Sequence, residues 1–200
     1  MGYGRSGLQQ TVRDEIGKAP ELNILPDTYE PLEDSYLLAE IAGKKAFGKV
    51  LDMGTGSGIQ GITAARNGCE VTFADIDRNA IRCARLNAEM SKIKGEFVVT
   101  DLFEKIDGRF NTIIFNPPYV TSDRLHKLTR INQALDGGFE GREVIDRFLE
   151  SYRDYVLPRH TVLMVESSQN SYEKDAKRLN AKVVGKTHLF FEDIVVLEFQ

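Results

Sequence analysis

From Val50 onward, apolar runs of strand length alternate with segments whose apolar residues recur at helical spacing. This alternation constrains the fold more than any other feature. Parallel strands need long crossovers, and a helix in each crossover covers a sheet face, so the strands read as nearly continuous apolar runs. Strands are expected at 50–53, 69–74, 96–100, 112–115 and 161–166. Helices are expected at 59–67, 79–90 and 143–157, the last ended by Pro158. A polar helix at 172–179 leads to two further runs, 182–189 and 194–199, joined across Phe191-Glu192-Asp193. These two should close the sheet edge as antiparallel strands. The expected fold class is therefore α/β: a mostly parallel seven-stranded sheet with helices on both faces and an antiparallel last strand.

The first 28 residues differ from the rest. Gly2, Gly4, Gly7, Gly17, Pro20 and Pro26 punctuate them, and a short helix is expected only at 12–16. Residues 1–28 read as an arm and residues 29–200 as one domain, which opens with a turn running into an amphipathic helix over 27–42. Lys+Arg 26 against Asp+Glu 30 gives a net charge of −4, which argues against holding nucleic acid by bulk charge. No stretch approaches the roughly 18 uncharged apolar residues of a membrane span. The start Met1-Gly2-Tyr3-Gly4-Arg5 has no apolar run behind it, so a cytoplasmic location is expected. Cys69 and Cys83, the two cysteines, cannot supply a tetrahedral sulfur site for zinc. They read as small buried apolar groups, and no metal site is expected.

Asp52-Met53-Gly54-Thr55-Gly56-Ser57-Gly58 lies between an expected strand and an expected helix, the context in which a glycine loop means a nucleotide-type ligand. Glycines let the backbone turn tightly and let a ligand approach without meeting a Cβ. Asp75 ends the second strand about 20 residues on, where a carboxylate can accept from two ribose hydroxyls. Asp77 is better read as the cap of the next helix. A dinucleotide and an adenosine-sulfonium ligand both fit so far. Asp52 favours the second, because a carboxylate before the glycines opposes a pyrophosphate and suits a ligand's ammonium group. Asp101-Leu102 closes the third strand at the same edge of the sheet, where the carboxylate can accept from an adenine amino group and the next backbone nitrogen can donate to the ring.

Asn116-Pro117-Pro118-Tyr119 ends the fourth strand and carries the most chemical information. Two prolines fix φ and remove two backbone donors, leaving carbonyls in set directions. Asn116 Oδ1 and the Pro117 carbonyl can then accept both protons of one planar NH₂ group. An amide or exocyclic amine is a poor nucleophile because its lone pair is delocalised, so holding the nitrogen in line with a methyl sulfonium lowers the barrier mainly by positioning. Tyr119 offers a face for a flat amide or base.

These residues together resemble a class I S-adenosylmethionine-dependent methyltransferase of the HemK type, with a Rossmann-like fold. The resemblance runs from Tyr29 to the end of the sequence. It rests on Tyr29-Glu30-Pro31-Leu32-Glu33-Asp34-Ser35, the Asp52 loop, Asp75, Asp101-Leu102, Asn116 to Val120, and Leu135-Asp136-Gly137-Gly138 with Gly141. It is narrower toward the short archaeal and eukaryotic branch, which methylates the glutamine side-chain amide in the Gly-Gly-Gln loop of class I translation termination (release) factors. The resemblance implies that Ser35, Asp52, Gly54, Gly56, Asp75, Asp101, Leu102 and Asn116 meet S-adenosyl-L-methionine. It also implies that Asn116, Pro117, Pro118, Tyr119 and Val120 hold the target glutamine, with Asn116, Pro117 and Tyr119 at the reacting nitrogen. Relatives often place Glu where Asp52 stands, one methylene longer. A small zinc-binding activator subunit supports that branch, and Glu96-Phe97-Val98-Val99-Thr100, an expected outer strand, could receive one by strand pairing.

The alternative activity is amino (N6) methylation of adenine in DNA or RNA, since the tetrapeptide suits either nitrogen. Net charge −4 and the lack of a long basic stripe count against it. A nicotinamide-dependent oxidoreductase would leave Asn116 to Tyr119 without a purpose, and a non-catalytic scaffold would not need every expected position filled. His126, His160 and His188 read as surface or structural residues. The basic segment 124–130 adjoins Tyr119 and is a candidate for substrate contact.

Overall fold

The computed structural model describes residues 20–119, 142–189 and 192–200. The expected helix at 12–16, Val120, the segment 124–130 with His126, and the glycine element at 135–141 lie outside the described residues. Helix α1 (Glu33–Lys45) precedes β1 (Lys49–Met53), α2 (Ile59–Arg66), β2 (Glu70–Asp75), α3 (Arg78–Met90), β3 (Gly95–Val99) and β4 (Phe110–Phe115). Then come α4 (Glu143–Ser151), a 3₁₀ turn (Tyr152–Tyr155), β5 (Val156–Ser167), α5 (Tyr172–Leu179), β6 (Lys182–Leu189) and β7 (Glu192–Phe199). The seven strands lie in the order β3-β2-β1-β4-β5-β7-β6. Pairings from β3 through β5 are parallel, whereas β7 runs antiparallel between β5 and β6.

The apolar runs are continuous because both sheet faces are covered. Val50, Phe73, Ile114 and Leu163 pack with Leu38 of α1, Ile62 of α2 and Ala84 of α3. Their sequence neighbours Leu51, Ala74, Ile113 and Met164 point the other way, into a cluster with Ile145 and Phe148 of α4. Helix α1 forms where two acidic residues, Glu33 and Asp34, open it and Lys44 and Lys45 close it, each charge opposing the end of the helix dipole it faces. Its buried stripe includes Leu38, Ala39, Ile41 and Ala42, and continues at the N-terminus through Asp34 and Ser35. Asp77 caps α3 by accepting from the Asn79 N–H at 2.8 Å, as its position before the helix predicts.

One expected boundary is corrected. The helix expected over 143–157 ends at Ser151, and β5, expected at 161–166, already begins at Val156. Pro158 therefore lies inside a strand. Between Phe110↔Val156 and Thr112↔Thr161 the β4–β5 register shifts, and such an irregularity leaves room for a residue without an N–H. The apolar period outlasted the helix because the 3₁₀ turn keeps burying it: Tyr152 has no exposed surface and sits edge-on to Phe199, with ring centroids 5.4 Å apart.

The part of the N-terminal stretch that is described, from Pro20, runs without regular structure apart from a turn over residues 26–28. Leu22 packs against the α1–α3 side of the core, and the chain continues as a strap toward α1.

Candidate active site

At the carboxyl ends of β1, β2 and β4, on the side where the strand order reverses, lies a cavity of about 1330 Å³. Open parallel sheets place their ligands at such a switch point. The volume exceeds the roughly 300–1000 Å³ of an ordinary small-molecule pocket, leaving room for a ligand and a second group from a substrate. Ser35, Gly54, Gly56, Asp75, Asp101, Leu102, Asn116, Pro117, Pro118 and Tyr119 all line it, together with residues 24–31 of the strap.

Gly54 and Gly56 take φ of +61° and +53°, a region open to glycine at little cost. The Gly56 N–H donates to Asp75 Oδ2 at 2.9 Å, and the Asp77 N–H donates to Asp75 Oδ1 at 2.9 Å. Burial pushes the Asp75 carboxyl up, while those N–H groups pull it back. The Ile76 N–H acts on the carboxylate as well, and the two oxygens, with about four acceptor positions, keep capacity for a hydroxyl. Ile76, next in sequence, lines the cavity while 67% exposed, an apolar wall that the sequence reading missed. Leu102 holds φ at +44°, a strained conformation of the kind that collects at binding sites. Its carbonyl accepts from Thr100 Oγ1 at 3.1 Å. Asp101 is engaged by Arg147 of α4 at 2.8 Å.

Asp52 is not among the lining residues. Its Oδ2 accepts from Thr55 Oγ1 at 2.6 Å and from the Gly61 N–H at 2.9 Å, so here the carboxylate ties the glycine loop to the first turn of α2. Gly61 is required for this approach: a Cβ there would stand 2.9 Å from Asp52 Oδ2 and 2.4 Å from Phe73 Cε1. Burial pushes the Asp52 carboxyl up to about 7, against the pull of the Thr55 and Gly61 hydrogen bonds. A folded-state pKa above the unfolded value of 3.8 means that the folded protein keeps a proton the unfolded chain has released. Stability from this group therefore falls as pH rises from about 4 to about 7 and is level above that. We expect urea midpoints to drop between pH 5 and pH 8 by the equivalent of about 2 kcal/mol. Buried Glu166, raised to about 8 by burial and by Asp175, adds a slope of the same sign, so Asp52→Asn, which keeps an acceptor oxygen, should flatten the profile by about that 2 kcal/mol and leave the Glu166 part; an unchanged slope would assign the pH dependence to other groups.

The organising residue of the substrate end is one that the sequence reading passed over. Asp34, 1% exposed, collects four side chains. Tyr29 Oη and Ser35 Oγ donate to its Oδ1 at 3.4 and 3.3 Å. Asn116 Nδ2 and Tyr119 Oη donate to its Oδ2 at 3.0 and 3.1 Å. Asn116 Nδ2 also reaches Ser35 Oγ at 3.3 Å. Burial, reinforced by the Asp34 charge, raises both tyrosine hydroxyls well above the usual range and keeps them protonated donors. The Tyr119 carbonyl accepts from Asn170 Nδ2 at 3.1 Å, and the Asn170 carbonyl accepts from Arg142 at 2.6 Å.

This network settles which way the Asn116 amide points, because an oxygen turned toward Asp34 would meet a carboxylate. Asn116 Oδ1 consequently faces away. It is buried and has no hydrogen-bond partner among the described residues. A buried acceptor left unpaired costs about 1–3 kcal/mol, so this oxygen, on a residue that lines the cavity, has a hydrogen bond still to make. His160 Nδ1 lies 2.8 Å from the Leu157 carbonyl and His188 Nδ1 lies 2.9 Å from Asp193 Oδ1. Both lie away from the cavity lining.

A glycine loop after β1, acidic residues at the next strand ends and an antiparallel β7 make this a class I methyltransferase fold. The family model described as "Methyltransferase small domain" matches residues 33–136. The putative protein N5-glutamine methyltransferase of Methanocaldococcus jannaschii is 31% identical over 88% of this chain and 93% of its own. Methyltransferase HEMK2 of Homo sapiens is 31% identical over 78% of this chain and 79% of its own. Among solved structures, the E. cuniculi Mtq2–Trm112 complex, responsible for the methylation of the eRF1 translation termination factor, superposes with a TM-score of 0.68 at 25% identity, covering 87% of this chain and 98% of that one. The chain belongs to the methyltransferase small-domain family and is an enzyme of the HemK type.

Proposed function

We propose that this enzyme methylates the side-chain amide of a protein glutamine, in the Gly-Gly-Gln loop of a class I release factor, with S-adenosyl-L-methionine as methyl donor. The buried, unpartnered Asn116 Oδ1 carries this reading. That oxygen and the Pro117 carbonyl accept the two protons of the glutamine NH₂, and Tyr119 flanks the amide plane. The donor, when bound, would supply a methyl group made electrophilic by a sulfonium and leave as S-adenosylhomocysteine, while the methylated nitrogen would lose one proton to water. Asn116 and Pro117 aim the nitrogen lone pair at that methyl group, and positioning of this kind can supply several kcal/mol of the barrier. Asp75 would hold the ribose, Ile76 and Leu102 would flank the adenine, and Ser35, Gly54, Gly56 and Asp101 would complete the donor's surroundings. Asp52 acts by fixing the glycine loop. The relatives named for glutamine methylation and the eRF1-methylating complex support the substrate class.

The test offers a class I release factor and adenine-containing oligonucleotides side by side with methyl-labelled donor. One added methyl on the Gly-Gly-Gln glutamine, found by tandem mass spectrometry, is the expected result. Label confined to the oligonucleotide would overturn the reading.

The Mtq2–Trm112 complex supports a small partner subunit, and the β3 edge of the sheet is the surface proposed for it. Strand β3 pairs on one side with β2 and ends the sheet on the other, and an unpaired edge is a template for another chain's strand. Phe97 stacks on Phe73 with centroids 4.7 Å apart beneath the Arg85 guanidinium, and Met90 nearby in sequence is 54% exposed. A small zinc-binding activator subunit pairing along Glu96 to Thr100 would cover this edge. Co-expression should yield a 1:1 complex on size-exclusion chromatography with a higher melting temperature than the chain alone. A fully active, equally heat-resistant chain that never co-elutes would count against it. Among the described residues no helix is long and apolar enough to cross a membrane; the proposed release-factor substrate supports a cytoplasmic location.

A further inference from the structure

Asn87 lies in α3, fully buried, and is not one of the residues lining the cavity. Asparagine is a poor choice for a helix interior, and a buried amide is costly unless its hydrogen bonds are made. Here both ends are used, in two directions. Nδ2 donates to the Ser57 carbonyl at 2.9 Å, inside the glycine loop. Oδ1 accepts from the Asn23 N–H at 2.7 Å, in the strap. Reversing the amide would set donor against donor and acceptor against acceptor, so the orientation is unique. One turn earlier, Cys83 Sγ donates to the Asn23 carbonyl at 3.4 Å. Both backbone polar groups of Asn23 are thus held by side chains four residues apart on one helix.

What these bonds join are two walls of the same cavity. Ser57 sits between Gly56 and Gly58, both at positive φ, in a loop whose backbone must keep an improbable shape. Asn23 leads directly into residues 24–31, which line the cavity without helix or strand to stiffen them. Helix α3 itself brings Asn79 and Ala80 of its first turn to the cavity. We infer that Asn87 is a positioning residue for the methyl donor, latching the strap and the glycine loop to α3 from outside the pocket. The inference rests on the reading of this cavity as the donor site. It places part of the donor affinity in a contact that never touches the donor, because ordering strap and loop in advance removes that cost from binding.

The variants Asn87→Ala and Cys83→Ala separate the two arms of the latch. Asn87→Ala loses both; Cys83→Ala loses a bond to the strap and the long contact at 3.6 Å that Asn87 Nδ2 makes to Sγ, while the Asn87 bonds to Ser57 and Asn23 remain. With circular dichroism confirming the fold, calorimetry on the full chain should show Kd for S-adenosylhomocysteine raised about 10-fold or more in Asn87→Ala and about 2- to 3-fold in Cys83→Ala. At saturating donor, kcat and the KM for the protein substrate should stay within about 3-fold, a split that general loosening would not give. Hydrogen exchange should accelerate at residues 22–30 and 54–58 in Asn87→Ala, and at 22–30 alone in Cys83→Ala. Donor affinity within 2-fold of wild type in a folded Asn87→Ala overturns the inference. If that variant does not fold, unchanged affinity and exchange in Cys83→Ala overturns it. Wild-type protein that binds no S-adenosylhomocysteine would remove the donor reading and this inference with it, whereas wild type and variants binding equally well removes this inference alone.

Discussion

Alanine in place of Asn116 is expected to lower kcat by about 10²- to 10³-fold while donor affinity, read by calorimetry with S-adenosylhomocysteine, changes by no more than a few-fold. The range is that of losing one preorganised hydrogen-bonding group or of a misplacement near 1 Å at the reacting centre. The asymmetry follows from where the amide points. Nδ2 is spent on Asp34 and Ser35, so Oδ1 is the atom left to grip the substrate nitrogen. Truncation removes that grip and leaves Asp75, the glycine loop and Leu102 in place. Near-normal turnover by Asn116→Ala would end the proposed role. Asn116→Asp should do no better than alanine, because it sets a second carboxyl against Asp34.

The second large effect is expected at a residue with no proposed contact to the reacting atoms. Asp34→Ala takes the shared acceptor from Tyr29, Ser35, Asn116 and Tyr119 at once. Nothing then prevents the Asn116 amide from turning over, and Tyr119 loses the anchor of its hydroxyl. We expect kcat to fall about 10²-fold with KM for the donor nearly unchanged. Asp34→Asn should fall between, since its remaining oxygen can serve one pair of donors but its nitrogen must face the other. A readout independent of rate is the Tyr119 ring, whose NMR signals should broaden or shift in Asp34→Ala. Wild-type kcat in that variant would show that Asn116 is oriented by its backbone alone.

The sequence was most legible where one principle acted alone. Strands β1, β2 and β4 are buried on both faces, so their apolar runs stand out, and Asp77 caps α3 from the position a capping residue must occupy. Asp34 was illegible for a physical reason: an acidic residue in the first turn of a helix is already explained by the helix dipole. Its burial comes from tertiary contacts with Asn116 and Tyr119, 82 and 85 residues away. Asp52 shows the converse. A carboxylate before a glycine loop looks like a ligand contact, but Gly61, nine residues on, lets it reach a helix N–H instead. The latch at Asn87 spans 64 and 30 residues and has no local pattern at all. The end of α4 was misplaced because Tyr152 and Val156 continue a helical period through a 3₁₀ turn and into the start of β5.

The placement of β7 between β5 and β6 governs how the sheet is assembled. Strand β6 touches the remainder of the sheet only through β7, so β6 cannot join ahead of β7. The neighbouring β6–β7 hairpin, whose contacts are local, is expected to zip early, and the finished ribbon then docks sideways onto β5 along the six residue pairs from Val162↔Phe199 to Ser167↔Ile194. A proline introduced at Val196, which pairs with Val165 on one side and Gly185 on the other, would remove one ladder hydrogen bond yet loosen the hold of the sheet on both strands at once.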